Sequence, residues 1–227
     1  MTSAPSPGPR FLVLITALFT GALIVSNVVA VKISDFGGHY LDSANIVFPL
    51  SYIFGDILTE VYGFKVSRKV IWSAFLANAM VVLVIVAAGE LPAAPFWSDQ
   101  PSYDAILGQT WRIVAASFVA FLAGEFTNAV ILARMKIATD GRWLWSRTIG
   151  STIFGQGIDT VLFVLIAFLG RGIPNLHVLI WETWLFKVGF EVAATPITYV
   201  VVNALKRLEG LDVYDRGVAL NPVAVWK

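Results

Sequence analysis

Long apolar stretches alternate with short basic ones along most of this chain, and six of the stretches are long enough to span a bilayer. An apolar helix needs roughly 20 residues to cross the hydrocarbon core. The runs 11–31, 44–63, 67–89, 111–133, 148–170 and 178–205 meet that requirement, and the last is long enough to tilt or to pass the interface. Glycine and proline within them do not veto helices, because hydroxyls and neighbouring helices satisfy the freed backbone groups. The pattern predicts an all-α polytopic membrane protein with six transmembrane helices. Residues 1–10 read as a disordered polar tail, 11–207 as the membrane domain and 208–227 as a second tail with no helical stripe. The first run is too long for a signal-peptide core and ends in Asn27 and Lys32 rather than at a small-residue cleavage site, so it is expected to be retained.

The distribution of charge then suggests an orientation. Twelve of the sixteen basic residues fall on one side: Arg10, Lys65, Arg68, Lys69, Arg134, Lys136, Arg142, Arg147, Lys206, Arg207, Arg216 and Lys227. By the positive-inside rule both termini are expected to be cytoplasmic. Trp72, Trp97, Trp111, Trp143, Trp145 and Trp181 fall near predicted span ends, as interfacial anchors do. The only long connection, 90–110, has three prolines and three acids and no base, and is expected to fold back over the outer mouth of a cavity.

The polar residues inside the spans change the picture most. Asp56, Glu60, Glu125, Asp159, Glu182 and Glu191 fall in or at the ends of spans, with Lys187 and the amides Asn27, Asn78, Asn128, Gln156 and Asn203. An acid at mid-bilayer costs about 2.5–3.5 kcal/mol on insertion scales, so such residues face a protein interior or a watery cavity. Asp56 and Glu60 are four residues apart, Glu125 and Asn128 three, Gln156 and Asp159 three, and Lys187 and Glu191 four. Each pair shares a helix face, so the spans are expected to converge on a polar centre. Asn78 and Asn203 are expected only to bond neighbouring helices, and Glu182 to reach water. Glu60 stands near the cytoplasmic end, where a site role and pairing with Lys65 or Arg68 are both open. Lys187 can neutralise Glu191 within one helix.

A weak internal repeat accompanies this pattern. Ser26-Asn27-Val28-Val29 resembles Thr127-Asn128-Ala129-Val130, and Ser51-Tyr52-Ile53-Phe54-Gly55 matches Ser151-Thr152-Ile153-Phe154-Gly155 at four of five positions. Three spans separate the copies, which is the arrangement of a 3+3 inverted repeat with its substrate site at the repeat interface.

Composition narrows the function. The mean hydropathy is +0.76 and only 14% of residues are charged, against about 25% in a soluble domain. The net charge of +1 argues against a nucleic-acid partner. The absence of cysteine excludes disulfides, iron–sulfur clusters and thiol catalysis, and two histidines make a histidine-rich metal site unexpected. Neither H-E-x-x-H, G-x-S-x-G nor a Walker loop occurs. Asp56 and Asp159 on different spans leave open an intramembrane aspartate-dependent enzyme, although neither stands in a G-x-G-D context. No catalytic residue, cofactor or metal is expected.

Longer motifs point further. They are Ser26-Asn27 with Lys32; F-P-L-S-Y-I-F-G-D-I-L-T-E-V-Y-G at 48–63 with Lys65, Arg68 and Lys69; Glu125 and Asn128; I-G-S-T-I-F-G-Q-G-I-D-T-V-L-F at 149–163 with I-A-F at 166–168; and Lys187, Glu191, Thr195, Pro196 and Tyr199 before Lys206. In these stretches the chain resembles the queuosine precursor transporter family, also called the vitamin uptake transporter family. The resemblance covers all but the tails. It implies an inner-membrane importer of 7-deazaguanine precursors of queuosine for tRNA modification: the 7-cyano and 7-aminomethyl bases, or queuine. It also implies a fold similar to the substrate-binding components of energy-coupling-factor transporters. The same resemblance implies an acid at Gln156, whose amide cannot supply a negative charge here.

A deazaguanine presents a ring N–H beside an exocyclic amine, which one carboxylate can accept in a two-point grip. Asp56, Glu60, Glu125, Asp159 and Glu191 are therefore candidate acidic contacts, and Asn27, Asn128, Gln156 and Lys187 candidate donors. Phe48, Tyr52, Phe54, Phe154 and Phe163 are candidate stacking partners. Import of another vitamin-like heterocycle is the alternative within the same class. A homodimer and a separate energising module are left open, as is the choice between facilitated and proton-coupled uptake.

Overall fold

The computed structural model describes residues 9–30, 32–36, 39–108, 111–170 and 175–224. Six helices among these residues are long and apolar enough to cross a membrane. α1 is Leu12–Val29, α2 is Phe48–Ile57, α3 is Phe64–Gly89, α5 is Trp111–Ala138, α6 is Leu144–Phe168 and α7 is Leu176–Glu209. A short 3-10 turn, Ser43–Ile46, leads into α2, and a π-helical turn, Leu58–Tyr62, extends it. The lead-in, α2 and its π-helical turn together make the second span.

Two short elements lie outside the six expected spans. A two-stranded antiparallel hairpin, β1 (Ile33–Phe36) and β2 (His39–Asp42), joins α1 to α2 with Ile33 opposite Asp42 and Phe36 opposite His39. A short helix, α4 (Gln100–Leu107), lies in the 90–110 connection. It folds back on α3: Tyr103 Oη donates to Ile85 O at 2.8 Å and Gln100 Nε2 to Gly89 O at 3.3 Å. Neither element was legible because each is too short to carry a hydrophobic period.

The helix ends follow local chemistry. Gly63 turns the chain from the second span into α3 with φ +81° and ψ 164°, a conformation nearly confined to glycine. α7 has 34 residues, about 51 Å at 1.5 Å per residue, and so outruns a hydrocarbon core of about 30 Å. Pro196 has no N–H to give to Val192 O four residues back, and on either side of it Thr195 Oγ1 donates to Glu191 O at 2.8 Å and Thr198 Oγ1 to Ala194 O at 3.3 Å.

The apolar core lies where α1, the second span, α3 and α5 meet, around Phe19, Leu23, Ile57, Leu58, Phe64, Ile71 and Phe121. The outer faces of the helices carry exposed Leu, Val, Ile and Trp, as lipid-facing surfaces do. Both described ends of the chain meet at one pole. The Arg10 and Phe11 amides donate to the Glu209 carboxylate at 2.9 and 2.7 Å, and Tyr62 Oη joins them at 2.9 Å. The segment after α7 does not trail away as a featureless tail. It packs across this pole, with the Phe64 amide donating to Asp215 at 2.9–3.0 Å and Trp72 Nε1 to Pro222 O at 2.9 Å.

Candidate functional site

Three glycines let three helices close around a polar centre. At Gly155 in α6 an added Cβ would lie 2.8 Å from Asn128 Cβ and 3.0 Å from Gly124 O, so α5 and α6 touch backbone to backbone. At Gly124 it would meet the Tyr52 hydroxyl at 2.5 Å and Asp159 Cβ at 2.7 Å. At Gly55 in α2 it would fall on the Glu125 carboxylate. Small residues at such crossings allow close approach of membrane helices. Here they also bring polar side chains of α2, α5 and α6 into one place.

Two bonds organise the centre. Asn128 Nδ2 donates to Asp56 Oδ1 at 2.7 Å, linking α5 to α2. Lys187 Nζ of α7 pairs with Asp159 Oδ2 of α6 at 2.7 Å. The same ammonium lies 4.5 Å from the Phe48 ring centroid, a cation–π contact, and Phe48 in turn packs against Tyr52 with ring centroids 5.8 Å apart. Lys187 thus neutralises Asp159, not Glu191 of its own helix. Glu191 interacts electrostatically with Asp56 and Glu125, and Asp159 with Glu125.

What remains is a surplus of acceptors. Asp56 Oδ2, both oxygens of Glu125, both of Glu191, Asn128 Oδ1 and Gln156 Oε1 are buried without a hydrogen-bond partner, as are the hydroxyls of Tyr52, Thr152 and Thr160. Asp56 and Glu125 are fully buried, and Gln156 and Glu191 are 1% exposed. An unsatisfied buried polar group costs about 1–3 kcal/mol, and more if charged. A cluster of this size is therefore suited to a ligand that brings N–H or O–H donors. Among the described residues no group of three or more acids and histidines is arranged to hold a metal ion.

The structure brings Tyr52, Asp56, Glu125, Asn128, Gln156, Asp159, Lys187 and Glu191 together, with Phe48 at the edge. Thr152 and Thr160 were not anticipated. Both stand four residues from Gln156 on α6, so the helical period carried the signal.

Four expected contacts lie elsewhere. Asn27 accepts from Ser117 Oγ at 3.0 Å and lines a separate cleft between α1, α3 and α5 with Asn78, Phe118 and Leu107 at the end of α4. Phe54 packs against the apolar core. Phe154 is 59% exposed on the outer face of α6, and Phe163 meets Phe168 edge to face at 5.9 Å. Asn203 and Glu182 are exposed.

Glu60 has its own surroundings, one turn beyond Asp56. Its Oε1 accepts from Arg147 and Lys206, each at 2.7 Å, and lies 3.6 Å from Lys136 Nζ. These cations come from α6, α7 and α5, not from Lys65 or Arg68 at the start of α3. Arg68 instead donates to Asn221 O at 2.7 Å. The partners of Glu60 lie 76 to 146 residues away along the chain, beyond the reach of local spacing.

The sequence has named relatives. A family model described as "Putative vitamin uptake transporter" matches residues 42–201, which include every residue of the acceptor cluster. A "Probable queuosine precursor transporter" of Bacillus subtilis (strain 168) is 29% identical over 183 residues, covering 78% of this chain and 79% of that protein. A "Queuosine precursor transporter" of Escherichia coli (strain K12) is 25% identical over 67% of this chain and 66% of its own length. A "Probable queuosine precursor transporter" of Haemophilus influenzae is 24% identical over 81% of this chain and 77% of its own. No solved structure matches the chain. With six membrane-length helices and a family match over most of its length, the chain is a multi-pass membrane protein that belongs to the vitamin uptake transporter family.

Proposed function

We propose that the chain imports a 7-deazaguanine precursor of queuosine across the cytoplasmic (inner) membrane, with both termini in the cytoplasm. One observation carries the reading: the buried surplus of acceptor oxygens among α2, α5, α6 and α7. A deazaguanine is the complement of such a surface. Its ring N–H and exocyclic amine suit one carboxylate as a two-point acceptor, its pyrrole N–H suits a second, and its carbonyl suits the Lys187 ammonium. Tyr52 and Phe48 offer aromatic faces to the flat ring. A site that holds its ligand by buried hydrogen bonds rejects analogues lacking them by large factors.

The charge balance extends the proposal to side-chain preference. Four carboxyl groups (Asp56, Glu125, Asp159 and Glu191) share the centre with one ammonium, Lys187. A base carrying an aminomethyl cation satisfies one more carboxylate than its cyano analogue, so the cationic base is the preferred ligand. Gln156 accepts through Oε1 but supplies no negative charge, so the ionic part of this preference rests on the four carboxyl groups. Names of the related proteins support transport of a queuosine precursor, and the basic pole formed by Lys136, Arg147 and Lys206 supports a cytoplasmic position for that end of the helices.

Uptake of labelled precursor by cells that can neither make nor import it tests the function. Accumulation on expression of this chain, competed best by the aminomethyl base, is expected. A folded, membrane-inserted protein that gives no uptake of any deazaguanine would overturn the reading.

A further inference from the structure

We propose that the segment after α7, residues 211–222, is a strap that bars the basic end of the acceptor site, and that its release opens that end to water. The inference concerns access and holds whichever ligand the site takes.

The strap is tied across the pole by polar contacts. Asp212 Oδ1 accepts from Lys136 at 2.7 Å and from Lys206 at 2.9 Å, and Val213 O accepts from Lys136 at 2.6 Å. Asp215 receives the Phe64 amide, at the start of α3. Arg216 pairs with Asp140 at 2.8 Å in the α5–α6 turn, and Tyr214 packs against Gly141 in that same turn. Arg68 and Trp72 of α3 hold Asn221 O and Pro222 O. Apolar packing comes from Leu211 and Leu220 against the core and from Val213 against Gly63. These polar groups can be satisfied by water once the strap lifts, so its release leaves none of them unpaired.

Beneath the strap lies the ion knot on Glu60, and it couples the cover to the site. Glu60 belongs to the second span, Lys136 to α5, Arg147 to α6 and Lys206 to α7, the same four elements that build the acceptor cluster. Lys136 and Lys206 each bind Glu60 and Asp212 together. Any movement that parts these helices at the basic end must break the knot and free the strap. Asp56 lies one turn from Glu60 on the second span, and on α6 Arg147, Ser151 and Gly155 are successive residues of one face, so the knot stands between strap and site. The π-helical turn 58–62 and Gly63 give this end of the second span a backbone that is easily re-aimed.

The chain has no cysteine, so single reporters can be introduced without background. Ser151→Cys is the reporter, because Ser151 is fully buried and its Oγ bonds only within its own helix, to Thr148 O. Ser26→Cys, buried toward the opposite end of α1, is the control. The full-length chain in nanodiscs is treated with a water-soluble maleimide, and rates are normalised to labelling in denaturing detergent. Asp215→Ala is expected to speed labelling of Ser151→Cys at least tenfold, and Asp212→Asn about threefold, with Ser26→Cys unchanged in both. If Asp215→Ala loses its cooperative melt, Asp212→Asn decides, since its carboxylate is already 45% exposed. Parental labelling rates in a folded variant, or equal acceleration at both reporters, would overturn the proposal.

Discussion

Replacing Gly155 by alanine tests whether the close crossing of α5 and α6 positions the site. The new methyl group would lie 2.8 Å from Asn128 Cβ and 3.0 Å from Gly124 O, where ordinary contact begins at 3.4 Å. One neighbour is backbone and the other a Cβ, so neither can swing aside. The helices must part by about 0.6 Å, the difference between 2.8 and 3.4 Å. Carried through α5 to the 2.7 Å bond from Asn128 to Asp56, a shift of that size would disturb its geometry. Overpacking of this sort costs roughly 1–3 kcal/mol. For a domain of this size that is a fall in Tm of roughly 2–12 °C. Gly189→Ala is the matched control, since nothing lies within 4 Å of its added Cβ and helix propensity favours alanine by about 0.5–1 kcal/mol. Thermal unfolding followed by tryptophan fluorescence, with ligand binding on the same samples, reads both consequences. Gly155→Ala melting with Gly189→Ala and binding as the parent does would refute the reasoning.

Three other outcomes are expected. Glu60→Gln leaves Arg147 buried without its carboxylate, although Lys136 keeps Asp212, and is expected to cost on the order of 3–5 kcal/mol in unfolding measurements, while the folded fraction keeps parental ligand affinity. Affinity lost in parallel would return Glu60 to the binding site. Asp159→Asn strands Lys187 and destabilises by a similar amount, whereas the double variant Asp159→Asn/Lys187→Met recovers most of the stability but not binding. Burial pushes the Asp212 carboxyl up, but hydrogen bonds from Lys136 and Lys206 outweigh it and hold the group below its ordinary value. Its contribution is therefore present above about pH 3.9 and lost as the pH falls through the lowered value. The stability difference between the parent and Asp212→Asn should stay level from about pH 5 to 8 and vanish in stronger acid.

The spans were legible because a bilayer demands length and apolarity, and both are local properties of the chain. The polar centre was legible for the same kind of reason. Glu125 with Asn128, and Gln156 with Asp159, announce a shared face through helical spacing alone. What the period cannot supply is the partner across a gap. Lys187 lies four residues from Glu191 and still chooses Asp159, 28 residues away, because the crossing of α6 and α7 sets the distance. Asn27 bears the same polar mark as Asn128, yet it faces Ser117 in another cleft. Residues 211–222 lack periodicity because their bonds are made by backbone carbonyls and two aspartates, which leave no stripe to read. The proposed inverted repeat rests on the matched segments at 51–55 and 151–155. Superposing 11–89 on 111–207 by a half-turn in the membrane plane would decide it.

The central claim is that the unpartnered acceptors of α2, α5 and α7 hold the ligand. Equilibrium binding of an aminomethyl-deazaguanine to the purified chain, compared with Asp56→Asn, Glu125→Gln and Glu191→Gln, tests it most directly. Loss of a charged hydrogen bond of about 1.5–3 kcal/mol predicts a weakening of roughly 10- to 150-fold in each variant, with the cooperative melt retained. Parental affinity in all three would contradict the account.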